Sequence, residues 1–209
     1  MKERAIQSQE CINEGASFLA NIEPRFKSAL EVTGELPLRL SPEGFERLLD
    51  AIISQQVSVA AANSIWRRLV KANLNGPLKI MRADDAELRA VGLSRQKVRY
   101  ARALAESKIN FRSLRSMSSE EVINTLTQVS GIGVWTAEIY TIFSLARADV
   151  FAAGDLALQE SARLLFELSE RPSEREIRQM AEKWSPWRAV AARLLWAYYS
   201  HSKKREGVR

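Results

Sequence analysis

Apolar residues recur along this chain at the three-and-four spacing of a helix. No stretch alternates apolar with polar for strand length between hairpin turns. The clearest stripe is Phe45, Leu48, Leu49, Ile52 and Ile53. Ser41-Pro42-Glu43 ahead of it predicts a helix running to about Gln55, with serine as N-cap and proline in the first turn, where its missing N–H does no harm. Ser58 caps a second helix through Trp66 and Leu69, which Asn73-Leu74-Asn75-Gly76-Pro77 breaks. Asp84 with Glu87, Ser118 with Glu121 and Ser173 with Glu176 have the spacing of capping boxes, in which two side chains satisfy the amides of a helix start. Gly92-Leu93-Ser94 reads as a tight turn between a short helix and one through Lys108. The polar tail after Tyr199 is expected to fray. The expected class is therefore all-α, with no repeat and no low-complexity linker.

The 209 residues and 46% hydrophobic content suit one core or two packed lobes. Lysine and arginine outnumber aspartate and glutamate 31 to 25, a net charge of +6 that favours a polyanionic partner without identifying one. A single cysteine, Cys11, excludes an internal disulfide and any four-cysteine zinc or iron–sulfur site. The start of the chain is polar and no apolar run approaches the about 20 residues that a bilayer requires, so an intracellular protein is expected, in the cytoplasm or nucleoid if bacterial.

The most informative stretch is Leu126-Thr127-Gln128-Val129-Ser130-Gly131-Ile132-Gly133-Val134-Trp135-Thr136-Ala137. Two glycines bracket an apolar residue between two helical patterns, which reads as helix, hairpin, helix. Glycine lets the backbone turn sharply and approach another molecule closely, while the first amides of the second helix face outward as an anion site. An isolated Gly-x-Gly is more often a plain helix–helix turn. The full string resembles the helix-hairpin-helix DNA-binding motif at nearly every position, which implies phosphate contact at Gly131, Gly133, Val134 and Thr136. In that motif the carbonyls of residues matching Thr127, Val129 and Ile132 hold a monovalent cation that bridges to phosphate.

Downstream, Val150-Phe151-Ala152-Ala153-Gly154-Asp155-Leu156-Ala157-Leu158 sets one acid in an apolar and small-residue run. Asp155 reads as the N-cap of a helix through Leu165 and Phe166, where the helix end stabilises negative charge. A capping role and a chemical role are compatible.

Hairpin, Gly-x-Gly and then an aspartate at the next apolar helix resemble the helix-hairpin-helix DNA glycosylase superfamily. Ile53-Ser54-Gln55-Gln56-Val57-Ser58, Gly92-Leu93-Ser94-Arg95-Gln96-Lys97, Gly154-Asp155-Leu156-Ala157 and Trp184-Ser185-Pro186-Trp187-Arg188 resemble its 3-methyladenine DNA glycosylase II branch, over about Ser41 to Tyr199. The resemblance implies two helical lobes with a central cleft, residues 41–146 forming one and residues 1–40 plus 147–209 the other. It also implies double-stranded DNA with alkylated bases as partner, a monomer, and no cofactor beyond the structural cation.

By the same resemblance Asp155 is the catalytic carboxylate. Trp135 and Trp196 line a base pocket with Ile139 and Tyr140, and Gln56 fills the gap left by a flipped nucleotide. Gly92, Ser94 and Lys97 touch the backbone, although Arg95, Lys97 and Arg99 read equally well as a solvated helix face. Trp66, Trp184 and Trp187 are open between core and function. Bifunctional members carry a lysine two residues after the second hairpin glycine, where this chain has Trp135, so base excision without strand cleavage is expected. Alkylated purines are cationic leaving groups that need little protonation, in keeping with a single histidine, His201, in the polar tail. Two alternatives stand beside this reading: a non-catalytic DNA-binding protein, and a glycosylase for other damaged bases.

Overall fold

The computed structural model describes residues 3–203 as helices joined by short loops. In chain order the helices are α1 (Gln9–Ile22), α2 (Pro24–Thr33), α3 (Phe45–Ser54), α4 (Val59–Lys71), α5 (Pro77–Arg82), α6 (Asp85–Ala90), α7 (Arg95–Glu106), α8 (Ser119–Thr127), α9 (Val134–Phe143), α10 (Leu156–Leu165), α11 (Glu174–Glu182) and α12 (Arg188–Lys203). Among the described residues there is no strand beyond one isolated bridge, Ala5 to Arg147. No helix among them is long and apolar enough to cross a membrane. The tail expected to fray lies, from Lys204 onward, outside the described residues.

Local chemistry set most of these boundaries. All three capping boxes are formed, with both reciprocal hydrogen bonds, at Asp84, Ser118 and Ser173. Ser58 and Ser94 cap α4 and α7 by accepting from the amides of Ala61 and Lys97. One expected start moves: α3 begins at Phe45, because Gly44 holds φ at 105° and breaks the helix that Ser41-Pro42 would have opened. The start carries no side-chain cap; the Tyr140 hydroxyl instead accepts from the amide of Gly44 itself at 2.9 Å, tying this turn to α9. Helix α7 likewise ends at Glu106, short of Lys108, whose φ of 52° is left-handed.

The chain divides into two compact units. Ser41–Tyr140 forms one, in which α7 packs against α3, α5 and α6. Residues up to Leu40 and from Thr141 onward form the other, in which α12 packs against α1, α2 and α10. Thr141 to Ala146, which the sequence groups with the first lobe, belong to this second unit. The reason is local: the Ile6 amide donates to the Ala146 carbonyl and the Ala148 amide to that of Arg4, pinning the segment to the N-terminal residues.

In the second unit, α12 is buried from Ala189 to Trp196. Gly15 lets α1 close on it, since a Cβ there would lie 2.7 Å from Val190 and 2.8 Å from Trp187. Trp184 packs with Phe26, Phe151 and Phe166, which assigns Trp184 and Trp187 to the core. Arg193 is buried, donates to the carbonyls of Ala189 and Leu38, and lies over the Phe143 ring; burial pushes its guanidinium down to about 10, so it stays charged.

Asp149 fixes the loop that leads to Asp155. Arg188 donates to both its oxygens at 2.6 and 2.8 Å, and Ser185 adds a third bond at 2.8 Å. Burial pushes the Asp149 carboxyl up, but the bonds from Arg188 and Ser185 outweigh it and hold the group below the usual range. A depressed native value stabilises the fold above the ordinary carboxylate value of about 4, and that stability is lost as pH falls through the native value. Arg188→Met is therefore expected to cost about 1–3 kcal/mol near neutrality and to shrink the fall of Tm on acidification, measured by thermal melts across pH. An unchanged acid limb would refute the assignment.

Candidate functional site

The hairpin forms as its sequence implies. Helix α8 ends at Thr127, the Val129 amide donates to the Leu126 carbonyl, and the Ile132 amide donates back to Val129. Helix α9 then starts at Val134, its first turn closed by the Ala137 amide on the Gly133 carbonyl. Val129 and Ile132 are buried and anchor the turn, whereas Gly133, Val134 and Trp135 are exposed. The two glycines do different work. Gly131 has φ of 95° and a Cβ there would lie 2.4 Å from Tyr100 Cγ, so the fold itself requires it. At Gly133 a Cβ would meet nothing within 4 Å. The bare backbone there serves no packing need of the chain and leaves the α9 N-terminus open to an approaching anion.

The carbonyls of Thr127, Val129 and Ile132 are neutral oxygen donors, and Val129 keeps a lone pair beyond the one that accepts from Ile132. Such a donor set suits a hard cation of low charge. Among the described residues no cluster of histidine, cysteine, aspartate and glutamate could hold a metal.

Asp155 is the N-cap of α10. Its Oδ1 accepts from the amides of Ala157 at 2.9 Å and Leu158 at 3.1 Å, and the residue is only 6% exposed. The loop before it is tight: the Ala153 amide donates to Phe151, the Asp155 amide to Ala152, and buried Gln159 donates to the Ala153 carbonyl at 2.9 Å. A carboxylate fixed this firmly by backbone amides, in a segment where Phe151, Ala152, Ala153 and Leu158 are also buried, is preorganised to face a positive charge rather than to move toward one.

The remaining sequence candidates scatter. Trp135 is 40% exposed in the first turn of α9 and offers indole surface, while Trp196 is 3% exposed beside Phe143, its buried Nε1–H without a hydrogen-bond partner. Ile139 and Thr136 are both buried. Tyr140 is a core residue, with its ring near Phe111 and its hydroxyl on Gly44; burial pushes that hydroxyl up. Gln56 is exposed at the α3–α4 turn with φ of 55°. Gly92, at φ of 105°, makes room for Arg68, and Ser94 caps α7. Lys97 is 9% exposed and its Nζ donates to the Ile53 carbonyl at 2.6 Å, with burial pushing the ammonium below the ordinary lysine range. Its charge is engaged inside the protein, whereas Arg95 and Arg99 on the same helix are exposed. The brace from Gln159 escaped sequence reading, since a glutamine one turn into a helix carries no signal of what it will bond.

A glycine hairpin between two helices and an aspartate capping a later helix define the chain as a helix-hairpin-helix protein. It belongs to the HhH-GPD superfamily of base excision DNA repair proteins, whose family model matches residues 49–186. The DNA-3-methyladenine glycosylase 1 of Schizosaccharomyces pombe is 33% identical over 190 residues, covering 85% of this chain and 83% of that protein. The solved structure of an S. pombe 3-methyladenine DNA glycosylase in complex with abasic DNA superposes with a TM-score of 0.78 at 31% identity, over 91% of this chain and 97% of that one. A DNA-3-methyladenine glycosidase from Bacillus halodurans gives a TM-score of 0.81 at 28% identity, over 98% and 96%.

Proposed function

We propose that this chain is a monofunctional DNA glycosylase that hydrolyses the N-glycosidic bond of alkylated purines of the 3-methyladenine and 7-methylguanine type in duplex DNA. The observation that carries the reading is Asp155, buried to 6% exposure and held by two amides in an apolar run. A lesion in a base stack is out of reach, so the nucleotide is flipped out, at a cost of a few kcal/mol. The exposed Gln56 fills the gap.

Alkylation at N3 or N7 makes the purine cationic, so it departs as a neutral base with the electron pair of the C1′–N bond and needs no general acid. Positive charge grows on the sugar, and the Asp155 carboxylate stabilises it and orients the water whose oxygen bonds to C1′ and whose proton leaves to solvent. Trp135 gives a cationic purine an indole face. The pocket role assigned to Trp196 requires its buried indole to be uncovered, and that of Tyr140 is given up.

The hairpin seats a phosphate on the α9 amides, helped by a monovalent cation on Thr127, Val129 and Ile132. The chain acts as a monomer, and its substrate is an intracellular one. With Trp135 where an amine would stand, no Schiff base forms and the strand stays intact. A purely DNA-binding role would use the buried carboxylate only as the cap of α10.

The test is release of free base from methylated duplex DNA, with 3-methyladenine and 7-methylguanine resolved by chromatography. Expected are free alkylated base, a strand that breaks only after alkali, and no covalent product with borohydride. A folded protein that binds this duplex and frees neither base refutes the reading; trapping by borohydride refutes the hydrolytic half of it. Binding to undamaged duplex is expected to fall steeply with salt, as phosphate contacts demand.

A further inference from the structure

Three contacts within Ser41–Tyr140 close a ring around the Gln56 turn. Lys97 of α7 reaches the Ile53 carbonyl near the end of α3 at 2.6 Å, gripping the chain just before the turn. Tyr100, one helical turn further along α7, lies under Gly131 of the hairpin, close enough that no Cβ fits between them. The Gln55 side chain then joins the two directly, its Nε2 donating to the Gly131 carbonyl at 2.9 Å. Gln55 is partly buried, while Gln56 beside it is exposed and held at φ of 55°, a conformation that a non-glycine residue keeps only when its surroundings impose it.

We propose that Gln55 is a positioning residue, a strut that locks the exposed Gln56 turn to the hairpin so that the gap-filling residue and the phosphate seat engage DNA as one body with α7 as its base. This rests on the proposed function only in taking Gln56 as the residue that enters the base stack. A free turn would have to be ordered after the hairpin docks; the strut sets the distance from phosphate to stack beforehand, so docking energy drives the opening of the stack.

The test uses the full chain and a duplex with 2-aminopurine beside an abasic-site analogue, whose fluorescence reports the opened stack without any excision. Gln55→Leu, which removes the donor, is expected to lower the opened fraction relative to closed by about three- to tenfold, the worth of one hydrogen bond, while affinity for undamaged duplex stays within about twofold. Gln56→Ala lowers opening as well. In that background Gln55→Leu is expected to have no further effect, because a strut acts only through what it holds. Gln55→Glu keeps length and polarity but cannot donate, so it is expected to match Gln55→Leu and serves where the leucine variant fails to fold. Unchanged opening in both variants, losses that multiply in the double variant, or a wild type that opens no stack would overturn the strut. Release of methylated base, measured alongside, separates the two readings. A protein that opens the stack through Gln55 yet frees no alkylated base keeps the strut and loses the substrate. One that frees base with Gln55 irrelevant keeps the substrate and loses the strut.

Discussion

Asp155→Asn is expected to cut release of 3-methyladenine at least about a hundredfold while leaving the fold and DNA binding in place. The Oδ1 that accepts from Ala157 and Leu158 is retained by asparagine, which caps helices as well as aspartate does, so stability is expected to stay within about 0.5 kcal/mol. What disappears is the charge. In the proposed reaction the leaving base departs without protonation, so that charge would be the main means of stabilising the developing cation on the sugar, and no other titratable group in the apolar run from Val150 to Leu158 would replace it. Asp155→Ala removes the cap as well and is expected to cost about a further 1 kcal/mol of stability. Comparing the two variants by single-turnover base release and thermal melts separates the chemical role of the carboxylate from its structural one. Near-wild-type release by the asparagine variant would remove Asp155 from the chemistry and leave it a helix cap.

Features whose cause is local were legible in the sequence. Three capping boxes, the serine caps of α4 and α7 and the Asp155 cap each need only a few consecutive residues, and all are formed. The hairpin belongs to the same kind. Features whose cause lies far along the chain were not legible. Nothing near Ser41 announces that the hydroxyl of Tyr140 will accept from the Gly44 amide 96 residues away, a bond made by a Tyr140 that was read as a pocket residue and is buried in the core. Lys97 reads as a phosphate contact because it follows the Gly92 turn, but its partner is a carbonyl 44 residues earlier. The aromatic residues are the hardest to sort. Trp135, Trp184 and Trp196 look alike in sequence, and only packing divides one half-exposed indole from two buried ones.

The two hairpin glycines give the sharpest separation of folding from binding. Gly131→Ala is expected to destabilise the protein by about 1–3 kcal/mol, because alanine must hold φ near 95° and its methyl would displace the stem of the Tyr100 ring. Tyr100→Ala in that background is expected to relieve only part of the cost, since it removes Cγ at 2.4 Å but leaves the Cβ of residue 100 at 2.7 Å from the added methyl and the backbone angle unchanged. Gly133→Ala meets neither obstacle, as its Cβ finds open space and its φ lies outside the left-handed region. Its thermal stability is expected to match or exceed that of the wild type, by up to about 1 kcal/mol, through lost freedom of the unfolded chain. DNA affinity, read by fluorescence anisotropy on undamaged duplex, is nevertheless expected to fall about tenfold, a loss of about 1.4 kcal/mol, because the methyl stands where a phosphate must approach the amides of α9. A Gly133→Ala protein that is stable and binds DNA as tightly as the wild type would show that the hairpin is only a turn. The phosphate seat would then have to lie on other elements, among which the exposed Arg95 and Arg99 of α7 are the first to test.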